Sequence, residues 1–321
     1  MNEKLKIKIV LAKPRGFCAG VERAIEIVEK ALIQYGPPVY VRHEIVHNRR
    51  VIENLKSKGA IFVESLDEIP KNSVTIFSAH GVSKLVEDSA LIRKLQVIDA
   101  TCPLVKKVHV EGRKAVKSDS EVILIGHEGH PEVEGTMGQI PGKVFLVSSI
   151  EDIDFISPKN HQKLAYITQT TLSVDDTREI ISALKIKFPA IEGQDIKDIC
   201  YATQNRQTAV RSLAEKSDIV LVIGSKNSSN SNRLVEIASS YGSNSYLIED
   251  STSLDLSWFR GMHTVGITAG ASAPEEIIDE IVYFLQSTFD VELYEDNLIE
   301  ENVSFRLPSI LNNKIEQKTM N

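Results

Sequence analysis

The strongest constraint on the fold of this chain is a threefold internal repeat marked by its three cysteines, Cys18, Cys102 and Cys200. The cysteines are 84 and 98 residues apart (102 − 18 and 200 − 102). After each one comes a helical pattern and then an apolar strand that ends 24 residues further on, at Arg42, Gly126 and Gly224. A length of 321 residues alone suggests about two domains, but this repeat predicts three similar lobes.

Each repeat predicts two further strands. The second strands are residues 60–63, 143–147 and 245–248, and the third strands together with the polar loops that end them are residues 74–81, 164–171 and 265–272. Polar loops follow the first and third strands. Continuous β-branched runs at 122–125 and 219–223 are typical of strands buried on both faces of a parallel sheet. Because ligands collect at the carboxyl ends of parallel strands, we expect the loops and cysteines to face one shared cavity.

Helical patterns between these strands complete an α/β fold. After Cys18, apolar residues at Val21, Ala24 and Val28 have the spacing of a helix with one buried face. Pro103 suits the first position of a helix, where its missing N–H is not needed. We predict three pseudo-equivalent α/β lobes in a trefoil-like arrangement. Their bounds are residues 19–101 (lobe 1), 102–197 (lobe 2) and 1–18 with 198–303 (lobe 3), followed by a polar C-terminal tail, residues 304–321.

Composition excludes several classes of protein. A net charge of −7 and a pI near 5.7 disfavour a surface that binds nucleic acid or anionic membrane, because both need clustered positive charge. The N-terminal residues contain neither a signal peptide nor a transmembrane run, so a cytoplasmic enzyme is expected. Three distant cysteines in such a chain do not predict a disulfide framework.

The cysteines themselves predict a metal site. A cysteine at a helix N-terminus meets unpaired N–H groups and the positive end of the helix dipole, which favour the metal-binding thiolate. One such cysteine is usually only a small buried side chain, whereas three at equivalent repeat positions favour a ligand role. The choice lies between zinc with a histidine as fourth ligand and an iron–sulfur cluster with one iron left open to substrate.

Histidines and one carboxylate on the polar loops are candidates for ligand binding. His47, His80 and His130 lie on the loops of the first two repeats, together with Glu132. His127 and His130 form an alternative zinc pair. A structural role is expected for the remaining histidines, namely His43, His109, His161 and His263.

A stretch of short hydroxyl and amide side chains, residues 225–232, follows the strand at 219–223. It suits a helix cap, and it also suits a phosphate cradle at a helix N-terminus. Neither a Walker loop nor an aspartate-rich magnesium motif is present, so a phosphate would be held without a metal ion.

Motifs along most of the chain resemble the LytB/IspH family of 4-hydroxy-3-methylbut-2-enyl diphosphate reductases. They surround the three cysteines and extend over residues 41–49, 77–82, 129–138, 168–173, 224–232 and 268–274, within a span from Ile7 to Val303. The resemblance implies a three-lobed α/β protein with a central [4Fe–4S] cluster held by Cys18, Cys102 and Cys200. It also implies a diphosphate pocket that contains His47, His80, His130, Ser228, Ser229, Asn230 and Ser272.

The same resemblance implies the reaction. An allylic alcohol diphosphate would lose its hydroxyl by a two-electron, two-proton reduction to give isopentenyl and dimethylallyl diphosphate in the non-mevalonate isoprenoid pathway. Glu132 would donate the proton, and Thr170 would hold the substrate hydroxyl. A ferredoxin or flavodoxin would supply electrons, since the chain has no nucleotide-binding fingerprint. The alternatives are a zinc hydrolase that uses Cys, His and Glu132, and a non-enzymatic metal-bound scaffold or sensor.

Overall fold

The computed structural model describes residues 4–311, which form twelve strands and nine α-helices. The strands are β1 (Lys6–Lys13), β2 (Val39–Arg42), β3 (Ala60–Val63), β4 (Val74–Phe77), β5 (Gln96–Asp99), β6 (Glu121–Ile125), β7 (Val144–Val147), β8 (Leu164–Thr168), β9 (Ile219–Ile223), β10 (Asn244–Ile248), β11 (Thr264–Ala269) and β12 (Asp290–Asn297). The helices are α1 (Ala19–Tyr35), α2 (Arg49–Ser57), α3 (Lys84–Ile92), α4 (Pro103–Lys117), α5 (Pro131–Gln139), α6 (Val174–Lys187), α7 (Tyr201–Ala214), α8 (Ser229–Ser240) and α9 (Glu275–Thr288).

The strands form three parallel sheets that share one topology. The sheet orders are β3-β2-β4-β5, β7-β6-β8 and β10-β9-β11-β1-β12. In each sheet the first strand after a cysteine lies between the second and third strands of its repeat, and all of these pairs are parallel. The α/β class and the threefold repeat are therefore confirmed.

The third strand of each repeat is also flanked by the segment that leads to the next cysteine. β5 pairs with β4 and leads to Cys102, while β1 pairs with β11 and leads to Cys18. Glu192 forms a single parallel bridge to Ala165 of β8, eight residues before Cys200 (200 − 192). Each cysteine consequently follows a segment that pairs with the third strand of a repeat.

The described residues group into two compact units. The first contains residues 4–18, 47–49 and 201–303, with the five-stranded sheet. The second contains residues 19–46, 50–200 and 304–311, with the other two sheets. The lobe bounds at 19–101, 102–197 and 198–303 stay a prediction, and so does the loose end of the tail, since residues 312–321 lie outside the described part.

Apolar burial on both faces explains why residues 122–125 of β6 and all of β9 are continuous apolar runs in which most residues are β-branched. In β9, Ile219, Leu221 and Ile223 pack on the side of the sheet that α9 covers. Val220 and Val222 of the same strand pack against α7 and α8 on the other side. Alternating residues of one strand thus serve two cores, as the doubly buried pattern predicted.

The acidic segments after the second strands form short 3₁₀ turns, at Leu66–Glu68, Glu151–Phe155 and Ser251–Ser253. Each turn ends in a residue with extended backbone, so it does not continue as an α-helix. Among residues 4–311, no helix combines the length and the apolar character that a membrane crossing requires.

A core truncation tests this assignment of buried strands. Leu221 is 0% exposed in β9, so Leu221→Ala should lower the free energy of unfolding by about 2–5 kcal/mol. Ile186 is 82% exposed on α6, and Ile186→Ala should change the free energy of unfolding by less than about 0.5 kcal/mol. Urea unfolding of both variants measures the difference, and equal midpoints would contradict the burial of β9.

Candidate functional site

All three cysteines occupy the same local structure. Each lies immediately before a helix, α1, α4 or α7, and none forms a disulfide. The backbone N–H of each cysteine donates to a carbonyl in the loop that follows a third strand. For Cys18, Cys102 and Cys200 the acceptors are Ala271, Ala79 and Thr170, at 3.2, 3.0 and 3.0 Å. Each of these helix N-termini therefore lies next to a cysteine.

This environment fits a thiolate-bound metal group. Cys102 is the N-cap of α4, and its side chain makes no capping hydrogen bond, so the sulfur is not used to satisfy the helix backbone. All three side chains are half-buried. Helix N-terminal N–H groups stabilise thiolate, and soft thiolate ligands suit zinc or iron–sulfur clusters. Cys18, Cys102 and Cys200 are the residues that could hold such a group.

The second unit contains a buried carboxyl with a perturbed pKa. Glu132, in the first turn of α5, is 3% exposed. Its Oε1 accepts from the backbone N–H of Thr170 at 2.7 Å, and its Oε2 accepts from the Thr170 hydroxyl at 2.9 Å. Burial raises the pKa of Glu132 to about 7, although the hydrogen bonds from Thr170 oppose the rise. The group can therefore hold or release a proton near neutral pH.

Thr170 connects this carboxyl to a cysteine. Its N–H and hydroxyl donate to Glu132, while its carbonyl accepts the N–H of Cys200 at 3.0 Å. The residue lies two positions after the carboxyl end of β8, where its backbone is no longer used in the sheet ladder. One residue thus links a candidate acid to a candidate metal ligand.

Three imidazoles lie in a row in the same unit. The ring of His80 makes edge contacts with His130 and His43, at centroid distances of 6.0 and 5.9 Å. His130 is the N-cap of α5, and its Nδ1 accepts from the Glu132 N–H at 3.1 Å. Because Nδ1 accepts, the proton of the neutral ring lies on Nε2. His130 thereby fixes the backbone of Glu132, whose side chain is the buried carboxyl.

His43 is a residue whose position sequence analysis did not anticipate. The sequence predicts a structural role for His43, which stays a prediction; its ring touches His80, and its Nδ1 lies 2.9 Å from Oε2 of Glu64. The available signal was its place immediately after β2, at the carboxyl end of a strand. His109 does fit a structural role, because burial is the main cause that lowers its pKa to about 4 and keeps the ring neutral.

The first unit contains a second cluster of polar groups. The Ser272 hydroxyl donates to the carbonyl of His47 at 3.0 Å, and the Asn227 side-chain nitrogen lies 3.3 Å from Nδ1 of His47. Residues 47–49 belong to this unit, whereas His43 belongs to the other. Asn227 was not singled out from the sequence, although it lies within the hydroxyl- and amide-rich stretch at 225–232.

The start of α8 offers hydrogen-bond donors to an anion. Ser228 caps the helix, and its hydroxyl oxygen accepts from both the N–H and the hydroxyl of Ser231, which leaves its own proton available. Asn230 is 4% exposed, and both side-chain polar atoms of this amide are buried without a hydrogen-bond partner among residues 4–311. Ser229, the first residue of α8, is half-buried. A buried unsatisfied amide at a helix N-terminus suits an anionic ligand.

A family model described as LytB protein matches residues 9–286. The chain belongs to the LytB protein family. The 4-hydroxy-3-methylbut-2-enyl diphosphate reductase 2 of Bradyrhizobium diazoefficiens is 57% identical over 305 residues, which cover 95% of this chain and 99% of that protein.

Solved structures agree with the LytB assignment. The structure of the E-1-hydroxy-2-methyl-but-2-enyl-4-diphosphate reductase from Plasmodium falciparum matches with a TM-score of 0.92 and 38% identity, over 98% of this chain and 99% of that one. A structure of (E)-4-hydroxy-3-methyl-but-2-enyl diphosphate reductase, the terminal enzyme of the non-mevalonate pathway, matches with a TM-score of 0.64 and 34% identity, over 88% and 99%. The α/β fold and the family resemblance are thus both confirmed.

The raised pKa of Glu132 predicts a specific dependence of stability on pH. The folded protein keeps a proton that the unfolded chain, with a carboxyl pKa near 4.5, has released. The stabilising contribution is full below about pH 4.5 and is lost as pH rises to about 7. Glu132→Gln should remove this loss, which is on the order of 3 kcal/mol. Urea unfolding across this pH range measures it.

Glu134→Gln is the matched control, because Glu134 is exposed on the same helix. This variant should keep the pH profile of the parent. Parallel profiles for the parent and Glu132→Gln would contradict the raised pKa.

Proposed function

We propose that this LytB family member reduces (E)-4-hydroxy-3-methylbut-2-enyl diphosphate to isopentenyl and dimethylallyl diphosphate, the terminal step of the non-mevalonate isoprenoid pathway. The observation that carries the proposal is the buried Glu132–Thr170 pair, whose threonine also accepts the N–H of Cys200. Reductive loss of a hydroxyl needs an acid beside a redox centre, and this pair supplies the acid side.

The proposed cofactor is a [4Fe–4S] cluster bound by Cys18, Cys102 and Cys200. When bound, such a cluster supplies the electrons and an iron without a protein thiolate, which is a Lewis acid toward the substrate hydroxyl. The proposal is supported by three thiols that each begin a helix and that are held by equivalent backbone hydrogen bonds. Thiolates and iron–sulfur clusters need a reducing compartment, so we also propose a cytoplasmic location.

The diphosphate of the substrate is proposed to bind through hydrogen-bond donors of the side chains, without a metal ion. The groups are the imidazoles of His47, His80 and His130, the hydroxyls of Ser228, Ser229 and Ser272, and the amide of Asn230. The N-terminus of α8 adds backbone N–H groups and a favourable dipole. Since the diphosphate is remote from the bond that breaks, its binding energy serves to orient the reacting carbon.

Glu132 and Thr170 are proposed to deliver the proton. With a pKa of about 7, the carboxyl is partly protonated at neutral pH. In that form its O–H can donate to the Thr170 hydroxyl oxygen, and the Thr170 proton then becomes available to the substrate hydroxyl. Protonation converts hydroxide, a poor leaving group, into water. Ferredoxin or flavodoxin is the proposed electron donor.

The decisive experiment is turnover under anaerobic conditions. Purified protein with a reconstituted cluster and a chemical reductant should convert the allylic alcohol diphosphate into two isomeric products that lack one oxygen, as read by mass. Unchanged substrate in the presence of a reduced, intact cluster would contradict the proposed reaction.

A substitution separates the acid role from binding. Glu132→Gln should keep the cluster absorbance and the affinity for substrate but lower turnover about 10²- to 10⁴-fold, the usual contribution of a general acid. Glu134→Gln, on the exposed side of α5, should turn over like the parent. Parent-like turnover by Glu132→Gln would remove Glu132 from the proposed role.

The cysteines are tested by metal content. Each of Cys18→Ala, Cys102→Ala and Cys200→Ala should fail to retain a full complement of iron and sulfide, because a cluster with two protein thiolates is poorly held. Iron and sulfide analysis after anaerobic reconstitution is the measurement. A variant with the iron and sulfide content of the parent would exclude that cysteine as a ligand.

A further inference from the structure

Arg206 is a fully buried cation that contacts the segment before Cys18. It lies on α7 and is 0% exposed. Its guanidinium donates to the carbonyl of Gly16 at 2.8 and 3.2 Å and to that of Phe17 at 3.3 Å. Gly16 has a φ of +68°, a conformation that glycine adopts readily. Glu301 neutralises the charge through contacts of 3.1–3.4 Å.

Arg23 makes the corresponding contact in the second unit. It lies on α1 and is 8% exposed. Its Nη1 donates to the carbonyls of Ala100 and Thr101, both at 3.2 Å, and its Nε donates to the carbonyl of Arg306 at 2.9 Å. Ala100 and Thr101 are the two residues before Cys102. A buried side chain on one cysteine-bearing helix thus binds the backbone that leads to another cysteine.

Lys107 repeats the pattern on α4. Its Nζ donates to the carbonyl of Lys197 at 3.2 Å and to Oδ1 of Asp198 at 3.1 Å. These are the third and second residues before Cys200. The other oxygen of Asp198 accepts from the N–H of Thr168 at 3.4 Å, at the end of β8. The Lys107 side chain is 38% exposed, so this contact is weaker than the two arginine contacts.

The three contacts follow one rule. Arg23 and Lys107 stand five residues after Cys18 and Cys102 (23 − 18 and 107 − 102), and Arg206 stands six after Cys200 (206 − 200). The helix after the first cysteine holds the segment of the second, the helix after the second holds that of the third, and the helix after the third holds that of the first. Side chains that only pack their helix against the core would not be expected to bind the residues before a cysteine in all three cases.

We propose that Arg23, Lys107 and Arg206 are positioning residues for the three cysteine ligands, an inference that rests on the proposed iron–sulfur function. Each cation holds the carbonyls that precede a cysteine and so sets the direction in which that cysteine leaves its strand. Because the order is cyclic, the helix that follows each cysteine positions the segment that precedes the next cysteine. The cations also bear on electron uptake, because the net charge around a cluster sets its reduction potential and loss of Arg206 would leave the Glu301 carboxylate without its cation.

Paired substitutions separate geometry from charge. Arg23→Met and Arg206→Met remove the hydrogen-bond donors and the positive charge. Arg23→Lys and Arg206→Lys keep the charge but lose the planar arrangement of the guanidinium donors. Arg93→Met is the matched control, because Arg93 binds the Ile69 carbonyl at 2.7 Å and Asp67 at 3.0 Å, away from any cysteine segment. The readouts are the rate at which the reconstituted cluster bleaches in air and its reduction potential.

Both methionine variants should bleach about tenfold faster than the control, because hydrogen bonds to charged groups are lost. Their potentials should be more negative than that of the parent. The lysine variants should bleach faster while they keep the parent potential. Lys107→Met should have the smallest effect, about threefold, as expected for its exposure.

Bleaching of folded Arg23→Met and Arg206→Met at the rate of Arg93→Met would overturn the positioning role. If the methionine variants do not fold, the test rests on Arg23→Lys and Arg206→Lys. Cluster bleaching in these lysine variants at the rate of the parent would overturn the positioning role. A parent protein that binds no iron or sulfide would instead refute the proposed function, so the two failures are distinguishable.

Discussion

A single backbone hydrogen bond, repeated three times, underlies the arrangement of the candidate ligands. The N–H of each cysteine donates to the loop that follows a third strand. The acceptors are adjacent to, or identical with, residues of the proposed substrate site, because Ala79 precedes His80, Ala271 precedes Ser272, and the third acceptor is Thr170 itself. The chain therefore holds the proposed metal ligands and the proposed substrate-binding groups with the same short backbone segments. A shift of one loop would move both kinds of group.

Burial away from water determines the protonation of Glu132, the candidate acid. Glu132 is placed in the first turn of α5, where the preceding cap, His130, binds its backbone N–H. Burial raises the pKa of the carboxyl to about 7, and Thr170 satisfies both of its oxygens. A buried acid costs stability when it ionises, so the fold accepts a penalty at high pH in order to keep a proton donor. In the first unit the unsatisfied amide of Asn230 is a similar cost, which a bound anion would offset.

Much of the fold could be predicted because the same order of strand and helix patterns occurs three times in the sequence. Strand patterns at 39–42, 122–125 and 219–223 became β2, β6 and β9, and the cysteines precede helices as expected. Residues 1–18 were placed in one lobe with residues 198–303, but the strand that pairs with β1 was not predicted, because its parallel pairing with β11 joins residues more than 250 positions apart. Contacts of this kind depend on how whole sheets assemble, and local periodicity carries no information about them.

For the candidate site, residue types and their spacing were enough to select the cysteines, Glu132 and the hydroxyl-rich stretch, since thiolates, acids and helix-capping side chains have recognisable local patterns. The contacts of His43, Asn227, Arg23 and Arg206 were not foreseeable in this way. Each of these side chains meets groups that are distant in sequence or reads as an ordinary polar residue in its local context. Their roles follow from burial and from which backbone carbonyls or rings lie within hydrogen-bonding or contact distance. Those quantities exist only once the chain has folded, because folding brings distant segments together and removes water from between them.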